Sequence, residues 1–332
     1  VYSNIRRDLV GTDHPVLAQA ASYFFHTAGK QVRPLMVLLL SRAIAKHNEP
    51  TTGTATTSTP IPKRPDLWQA QQRLAEISEM IHTASLFHDD VLDDADTRRG
   101  QPAAHQVFGN KTAILAGDFL LARSSICLAR LRNVDVMEDM SNVIEQLVRG
   151  EVMQMHHYQD TATASSSLSE TKLTYYLRKS FYKTATLMAH SCKSAALLGN
   201  YHTDVVQGAY EYGKFIGLAF QLVDDWLDFE GTEAMLGKPI YSDLREGLAT
   251  APVLFALREC PELLPMMERK FRGDGDIDHA VELVRRSKGL QHTTQLAQVY
   301  AKLAMEEALK WDQSPERDGL VHLANKIVDR TR

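Results

Sequence analysis

Apolar residues recur at steps of three and four positions along most of this chain. The clearest run contains Leu74, Ile77, Ile81, Ala84 and Leu92. The same spacing continues through positions 115–131, 143–155, 181–198, 215–227 and 299–309. A step of three or four places side chains on one face of an α-helix, whereas a half-buried strand alternates at every second residue. No convincing series of alternating positions is present, and the pattern therefore predicts an all-α fold.

Three polar stretches interrupt this pattern. Positions 48–65 are rich in Thr and Pro, positions 160–169 in Ser, Thr and Ala, and positions 272–278 in Gly and Asp. Such stretches cannot bury a core face, and we expect mobile surface loops there. Because apolar helices lie on both sides of every loop, we expect residues 1–332 to form a single domain.

Composition excludes several classes of protein. Hydrophobic residues make up 44% of the 332 residues, and the net charge is −4 with no basic stripe, so a nucleic-acid partner is not expected. The cysteines Cys127, Cys192 and Cys260 fit no zinc-site spacing, which predicts reduced thiols and an intracellular protein. The longest apolar run, 34–40, is shorter than the roughly 20 residues of a membrane span. The chain begins at Val1 rather than Met, and we expect a preceding segment to have been removed.

Two aspartate clusters of the form DDxxD point to metal chemistry. Asp89 and Asp93 lie four residues apart at the end of a periodic helix, and Asp224 and Asp228 repeat the arrangement. Like charges at this spacing repel, so each pair is costly unless a cation offsets it. Two such pairs facing a cavity would hold Mg²⁺, which binds one or two carboxylates with water and substrate phosphates. One cluster alone is equally compatible with a solvated acidic helix end, and neither contains the Gly and Glu of an EF-hand loop.

Basic and polar residues accompany both clusters. They are Lys30 and Arg33 at the start of an apolar helix, His82 two turns before Asp89, the neighbours Arg98 and Arg99, the pair Lys183 and Thr184, and Lys238. Arg binds phosphate through parallel hydrogen bonds, and Lys provides a point charge. Each residue alone is more typical of a solvated face or a core histidine. Their grouping around two acidic motifs predicts a diphosphate-binding site.

With these motifs the sequence resembles the trans-type polyprenyl diphosphate synthases, and above all the long-chain enzymes that make the ubiquinone side chain. The matching segments include GKQVRP at 29–34, EMIHTASLFHDDVLDDADTRRG at 79–100, KTATLMAHSCKSAALLG at 183–199, GLAFQLVDDWLDF at 217–229 and GKPIYSDLREGLATAPVLFAL at 237–257. They follow the family's order along nearly the whole chain. The resemblance implies the isoprenoid-synthase fold, an antiparallel helix bundle around a deep central cavity.

The resemblance also implies a role for each matching residue. The expected magnesium ligands are Asp89, Asp93, Asp224 and Asp228, with Asp90 and Asp225 as catalytic carboxylates beside them. Arg98 is expected at the allylic diphosphate, and Lys30, Arg33, His82 and Arg99 in the isopentenyl diphosphate pocket. Lys183, Thr184, Gln221 and Lys238 are expected along the allylic site, where the two lysines would also act catalytically on the leaving diphosphate.

These expectations describe a Mg²⁺-dependent prenyl transfer. The allylic diphosphate leaves once its charge is neutralised, and the double bond of isopentenyl diphosphate attacks the carbocation. Ser85 lies one turn before Asp89 with Ala84 next to it, so the growing tail should pass these residues. Their small side chains predict a long product, from hexaprenyl to decaprenyl diphosphate, although small residues equally suit close helix packing.

The sequence leaves alternatives open. A class I terpene cyclase shares the fold but normally lacks the second DDxxD motif and the isopentenyl diphosphate pocket. A geranylgeranyl-type synthase with a shorter product, or one subunit of a heteromeric synthase, also fits, although a non-catalytic subunit would be expected to have degraded motifs. From the resemblance we expect a homodimer or hetero-oligomer and a mitochondrial location, and peripheral membrane association for product release stays open.

Overall fold

The computed structural model describes residues 1–6, 11–12, 14–26, 31–47, 65–98, 100–155, 168–232 and 240–331. The first helices are α1 Tyr2–Asn4, α2 Pro15–Ser22, α3 Val32–His47, α4 Pro65–Leu92, α5 Ala104–Phe108, α6 Asn110–Arg130, α7 Val134–Met155 and α8 Leu168–Ser180. They continue as α9 Thr186–Leu198, α10 Thr203–Glu230, α11 Ser242–Arg245, α12 Ala251–Ala256, α13 Leu263–Glu268, α14 Asp276–Arg286, α15 Gly289–Ala308 and α16 Pro315–Val328. Short 3₁₀ turns lie at Tyr23–Phe25 and Asp329–Thr331, and a π-helical turn, Phe181–Ala185, joins α8 to α9.

Strand structure is confined, within the described residues, to one small hairpin. Its strands β1 (Thr97–Arg98) and β2 (Gln101–Pro102) pair antiparallel, with Arg98 opposite Gln101. Gly100 in the turn has a φ of 74°, a left-handed conformation that glycine adopts without steric cost. The predicted all-α fold is confirmed.

The long helix α10 lies at the centre of the bundle. It packs against α9 and α15, while α4 packs against α3, α6 and α9. The predicted core positions Leu74, Ile77 and Ile81 are fully buried on α4. On α10, the buried hydroxyl of Tyr212 donates to the carbonyl of Leu320 at 3.0 Å, which ties α16 to the centre. The bundle thus holds α4 and α10, the two helices with the aspartate motifs, in one packed core.

A second, smaller core lies beyond the end of α10. It is formed by Phe229, Leu244, Val253, Leu263 and Leu283, contributed by α10 to α14. Burying these side chains turns the chain back after α10 and fixes α11 and α12 against it. The second aspartate motif is therefore covered by residues that follow it in sequence.

Helix α6 differs from the sequence prediction that no segment could span a membrane. It is the one helix among the described residues that is long and apolar enough to do so. Of its most apolar stretch, 39% is buried inside the protein. Asp118 and Arg123 interrupt its apolar sequence, and its buried face packs against α2 and α4. This arrangement is typical of an amphipathic helix in a bundle.

The three predicted loops fare differently. Positions 48–64 and 160–167 lie outside the described residues. The expected loop at 272–278 is shorter, because Asp276 already begins α14. The Asp276 carboxylate accepts hydrogen bonds from Arg269 Nε at 2.7 Å and from the Gly273 amide at 2.9 Å. These bonds close the turn, and the expectation of a mobile loop is corrected for this segment.

Candidate active site

A cavity of about 760 Å³ opens between α4, α8 and α10. The residues that line it come from α3 and α4, the hairpin, α7 and α8, the π-helical turn, α9 and α10, and the segment 243–250. Among them are the expected site residues Arg33, His82, Ser85, Asp89, Arg98, Lys183, Thr184, Gln221, Asp224 and Asp225. The structure therefore brings both aspartate motifs and most of the predicted cations to one space.

The first motif is shaped by the end of α4. The helix stops at Leu92, and Asp94 adopts a left-handed φ of 49°. The amide of Ala95 then donates to the carbonyl of Asp90 at 3.0 Å, the long-range bond of a Schellman cap. Asp93 still donates its amide to the carbonyl of Asp89 at 2.8 Å, so both stay one turn apart. Asp89 lines the cavity, whereas Asp93 is exposed and is not among the lining residues.

Asp90 and Arg98 form an ion pair at the base of this motif. Both Nε and Nη2 of Arg98 donate to Asp90 Oδ1, at 2.7 and 2.5 Å. Asp90 is fully buried and does not line the cavity, whereas Arg98 does. The expectation of Asp90 as a catalytic carboxylate is thus corrected, because its side chain holds Arg98 in place instead.

The second motif places only part of its carboxylates in the cavity. Asp224 and Asp225 line it, but Asp228 is fully buried elsewhere. The Asp228 carboxylate accepts bonds from the Ser242 amide at 3.1 Å, the Ser242 hydroxyl at 2.8 Å and the Asp243 amide at 3.2 Å. It therefore caps the start of α11, where backbone amides need acceptors. This geometry corrects the expectation of Asp228 as a metal ligand.

A hydrogen-bonded chain links the π-helical turn to α10. Thr184 Oγ1 donates to Gln221 Oε1 at 2.6 Å, and Gln221 Nε2 donates to Asp225 Oδ1 at 2.8 Å. The buried hydroxyl of Tyr176 donates to the other oxygen of Asp225. Burial raises the pKa of Asp225 to about 6, although these hydrogen bonds act in the opposite direction. Asp225 is thus fixed by its neighbours.

Two helical glycines allow the π-helical turn to reach this position. A Cβ on Gly150 of α7 would lie 2.7 Å from Lys183 Cγ and 2.9 Å from the Lys183 amide nitrogen. A Cβ on Gly217 of α10 would lie 2.4 Å from Ala185 Cα. The turn is therefore clamped between α7 and α10. A π-helical turn adds one residue to the helix and is common at functional sites. Here it brings Lys183 and Thr184 to the cavity.

The site carries an excess of negative charge. The described lining residues include six carboxylates, against four Lys or Arg side chains. Lys183 Nζ pairs with Glu151 Oε2 at 2.7 Å. Burial raises the pKa of Asp89 to about 7, and Glu151 and Asp93 add to the rise, although Lys183 and Arg98 oppose it. Burial likewise raises the pKa of Asp93. The protein's own cations do not offset these carboxylates.

This chemistry fits a divalent cation that prefers oxygen ligands. Asp89 and Asp93 offer one pair of carboxylates on α4, and Asp224 offers a single carboxylate on α10. Within the described residues, no three acidic, histidine or cysteine side chains come close enough to cage an ion by themselves. Mg²⁺ commonly completes its shell with water and substrate phosphates, which suits such an open site. The donor set therefore fits ions that arrive together with a diphosphate.

The remaining expected residues divide into three groups. Arg33 and His82 line the cavity on α3 and α4, as expected for a second diphosphate. Lys30, Arg99 and Lys238 lie outside the described residues. Ser85 lines the cavity and donates its hydroxyl to the carbonyl of His82 at 2.9 Å, whereas Ala84 is fully buried in the core. Of the two residues expected to control product length, only Ser85 thus reaches the space where substrate would lie.

Sequence reasoning missed several lining residues. They are Glu79, Gln154, Tyr176, Lys179 and Glu246, and Glu151 stands behind them as the partner of Lys183. Lys179 lies one turn before Lys183, and burial lowers the pKa of its amine. The spacing could have identified Lys179, because positions four apart share a helix face. No comparable signal marked Tyr176, whose neighbours carry no motif.

A family model described as polyprenyl synthetase matches residues 14–284. The chain belongs to the polyprenyl synthetase family. A Neurospora crassa protein named probable hexaprenyl pyrophosphate synthase, mitochondrial, is 46% identical over 99% of this chain and 79% of its own length. The human all trans-polyprenyl-diphosphate synthase is 42% identical over 100% of this chain and 75% of its own.

A solved structure resembles this polyprenyl synthetase closely. It is the polyprenyl synthase of Caulobacter crescentus in complex with calcium and isoprenyl diphosphate, with a TM-score of 0.82 and 29% identity. The match covers 100% of this chain and 94% of the other. The expected isoprenoid-synthase fold and the resemblance to long-chain synthases are confirmed. The Caulobacter protein holds a divalent cation and an isoprenyl diphosphate, the two components that the site geometry fits.

Proposed function

We propose that this chain is a Mg²⁺-dependent trans-prenyltransferase that condenses isopentenyl diphosphate with an allylic diphosphate into a long all-trans polyprenyl diphosphate. The observation that carries the proposal is the meeting of Asp89 and Asp224 in one cavity with Arg33, His82 and Lys183. Two sets of carboxylates and the cations that line the same cavity match two diphosphate groups, one of which would bind together with metal ions. The relatives named above are synthases of such products.

Each residue has a role that follows from its position. Arg98 and Lys183 lie beside the first motif, where they neutralise charge on the allylic diphosphate as its C–O bond breaks. Arg33 and His82 hold the diphosphate of isopentenyl diphosphate, so that its double bond faces the allylic carbon. The oxygen of Thr184 and the ring of Phe220 are polar and π groups near the resulting cation. The new C–C bond forms from the double bond, and the released diphosphate accepts the proton that is lost.

Mg²⁺ would be held by Asp89, Asp93 and Asp224, and it supplies the largest share of charge neutralisation on the leaving diphosphate when bound. Asp225 and Asp90 support this arrangement without binding the ion. Asp225 is engaged by Tyr176 and Gln221, and Asp90 by Arg98. The negative excess of the described site supports a requirement for added cations.

The direct test is incorporation of labelled isopentenyl diphosphate by the purified chain with an allylic primer. We expect incorporation in Mg²⁺, none in EDTA, and none from Asp89→Ala or Asp224→Ala. A cyclised hydrocarbon released without isopentenyl diphosphate would identify a terpene cyclase. Activity that appears only after a second protein is added would identify one subunit of a heteromeric synthase.

We also infer a long product from the wall of the cavity. Ser85 lies one turn from Asp89 and presents a small side chain there. Leu86 and Met188 line the cavity near it, and both are apolar and flexible. A prenyl tail can therefore leave the metal site along this face. The hexaprenyl name of the Neurospora crassa relative supports a long-chain synthase over a geranylgeranyl-type enzyme, and its mitochondrial name supports a mitochondrial location.

A second copy of the chain is the partner that fits the apolar face of α6 and α7, which pack together. On α6, Leu115, Phe119, Ala122 and Ile126 follow one another at steps of four and three, and Leu115 is 61% exposed. On α7, the large exposed apolar residues are Val134, Met137, Val148, Val152 and Met155. Two adjacent stripes with this period form the kind of seam that pairs with itself across a two-fold axis.

Sedimentation velocity tests this interface. Leu115→Glu with Val148→Glu should give a monomer, while Val299→Glu, which changes a 52% exposed residue on α15, should keep the dimer. If the wild-type chain is a monomer that dimerises only with a related protein, the face belongs to a hetero-oligomer. If the wild-type chain is a monomer and binds anionic vesicles through this face, the face serves peripheral membrane association and not dimerisation.

A further inference from the structure

Arg330 reaches the second aspartate motif from 106 residues away in the sequence. Its Nη1 donates to Asp224 Oδ1 at 3.0 Å. The residue lies in the 3₁₀ turn Asp329–Thr331 that follows α16, and this turn packs against α10. Asp224, one of the two residues of this motif that line the cavity, is thus already paired with a cation of the chain itself.

A second contact holds the same guanidinium. Arg330 Cζ lies 5.5 Å from the centre of the Phe220 ring, within the range of a cation–π interaction. Phe220 precedes Asp224 by one turn of α10, and both line the cavity. Arg330 is 26% exposed and Asp224 38% exposed, so water reaches the pair. Such a pair is weak enough to open.

The two motifs differ in this respect. At the first motif, Arg98 pairs with Asp90, which does not line the cavity. At the second motif, the described ion pair falls on Asp224, which lines the cavity. An ion that binds Asp224 through Oδ1 must therefore displace a guanidinium, and the Arg98–Asp90 pair imposes no such exchange on Asp89.

We propose that Arg330 is a positioning residue that occupies Asp224 in the metal-free protein and is exchanged for a metal ion when the site is loaded. This inference rests on the proposed function, since it takes Asp224 as a metal ligand. The exchange keeps the carboxylate neutralised at every stage, so the second motif stays ordered before ions arrive. It also makes the second motif the weaker site, and ions load at Asp89 and Asp93 first.

The test is a titration of the full chain with Mn²⁺ at a fixed concentration of inorganic diphosphate, in which electron paramagnetic resonance counts the free ion against a blank without protein. Removing a competing surface cation should tighten binding at the second motif about two- to fivefold in Arg330→Gln, from the usual strength of exposed ion pairs. Arg330→Lys keeps the charge and should stay close to wild type. Lys326→Gln, on the exposed last turn of α16, is the matched control and should not change either binding step.

Each outcome separates this inference from the proposed function. If wild type binds no Mn²⁺, or Asp224→Asn leaves the weaker step unchanged, the proposed metal site itself fails. If Asp224→Asn removes that step and Arg330→Gln leaves its midpoint unchanged or raises it, only the exchange by Arg330 is overturned. Should Arg330→Gln melt below the Lys326→Gln control, Arg330→Met is measured instead, and the same midpoint decides.

Discussion

Gly217 of α10 and Ala185 of the π-helical turn lie so close that a Cβ on Gly217 would be 2.4 Å from Ala185 Cα. No side chain is compatible with that distance unless the backbone moves. The contact fixes the turn that carries Lys183 and Thr184, and so it connects helix packing to the diphosphate site.

Gly217→Ala should therefore lower both stability and turnover. Alanine normally favours a helix by about 0.5–1 kcal/mol over glycine, but overpacking of a tight contact costs about 1–3 kcal/mol or more. Calorimetry should show a lower melting temperature, and the KM for the allylic diphosphate should rise. Gly208→Ala on the same helix is the control, because its Cβ would meet only Glu307 Oε2, at 3.4 Å. Equal effects of the two changes would contradict the clamp.

Asp224 and Asp228 should respond differently to substitution, although both are aspartates of the same motif, four residues apart on α10. Asp228→Ala removes the acceptor of three hydrogen bonds to Ser242 and Asp243, and should cost about 1–3 kcal/mol of unfolding free energy. The Mg²⁺ concentration for half-maximal activity should stay near that of wild type. Asp224→Ala should instead show no incorporation at any Mg²⁺ concentration and change stability little. A large rise in the Mg²⁺ concentration for half-maximal activity of Asp228→Ala would show that Asp228 is a metal ligand.

The metal-free protein should lose stability as the pH rises from about 4 to about 7. Burial raises the pKa of Asp89 from 3.8 to about 7, so the folded state binds more protons than the unfolded state between these values. Stability then falls with pH across that window and stays low above it. Asp89→Asn should raise the melting temperature in EDTA at pH 8 and make no difference near pH 4. A variant that melts below wild type at pH 8 in EDTA would contradict the assigned cause.

Ser85→Phe and Ala84→Phe should separate tunnel control from core packing. Ser85 lines the cavity, so a phenyl ring there should shorten the product while the first condensations continue. Ala84 is fully buried, so the same ring there should destabilise the fold by about 1–3 kcal/mol through overpacking. Chromatography of dephosphorylated products and thermal melting distinguish the two. Products of wild-type length from a folded Ser85→Phe would remove Ser85 from the path of the tail.

Local spacing predicted much of this site. The periodic apolar positions predicted helices at α4 and α10, and two carboxylates four residues apart on each predicted where charge would gather. Spacing could not predict the fate of Asp228, because α10 ends two residues later and the chain returns to cap α11 on its carboxylate. Spacing also could not predict that Ala84 faces the core while Ser85 faces the cavity. Neighbouring side chains on a helix diverge by a fixed angle, but which of them points to the cavity depends on the partner helices.

Contacts between distant segments were beyond the reach of sequence patterns. The pairing of Arg330 with Asp224 depends on how α16 packs against α3 and α10, and no motif surrounds Arg330. The π-helical turn was likewise predicted as ordinary helix, since an inserted residue shifts the apolar period too little to be seen. Gly150 and Gly217 leave room for this turn, and both are far from it in sequence and contact it only through close packing.

The most direct test of the account is the length of the product made by the purified chain. The chain would be incubated with Mg²⁺, an allylic primer and excess isopentenyl diphosphate, and the dephosphorylated products separated by chromatography against all-trans standards. We expect a product between hexaprenol and decaprenol, formed with Mg²⁺ and absent in EDTA. A reaction that stops at farnesyl or geranylgeranyl diphosphate with isopentenyl diphosphate still in excess, or that runs equally well in EDTA, would contradict the account.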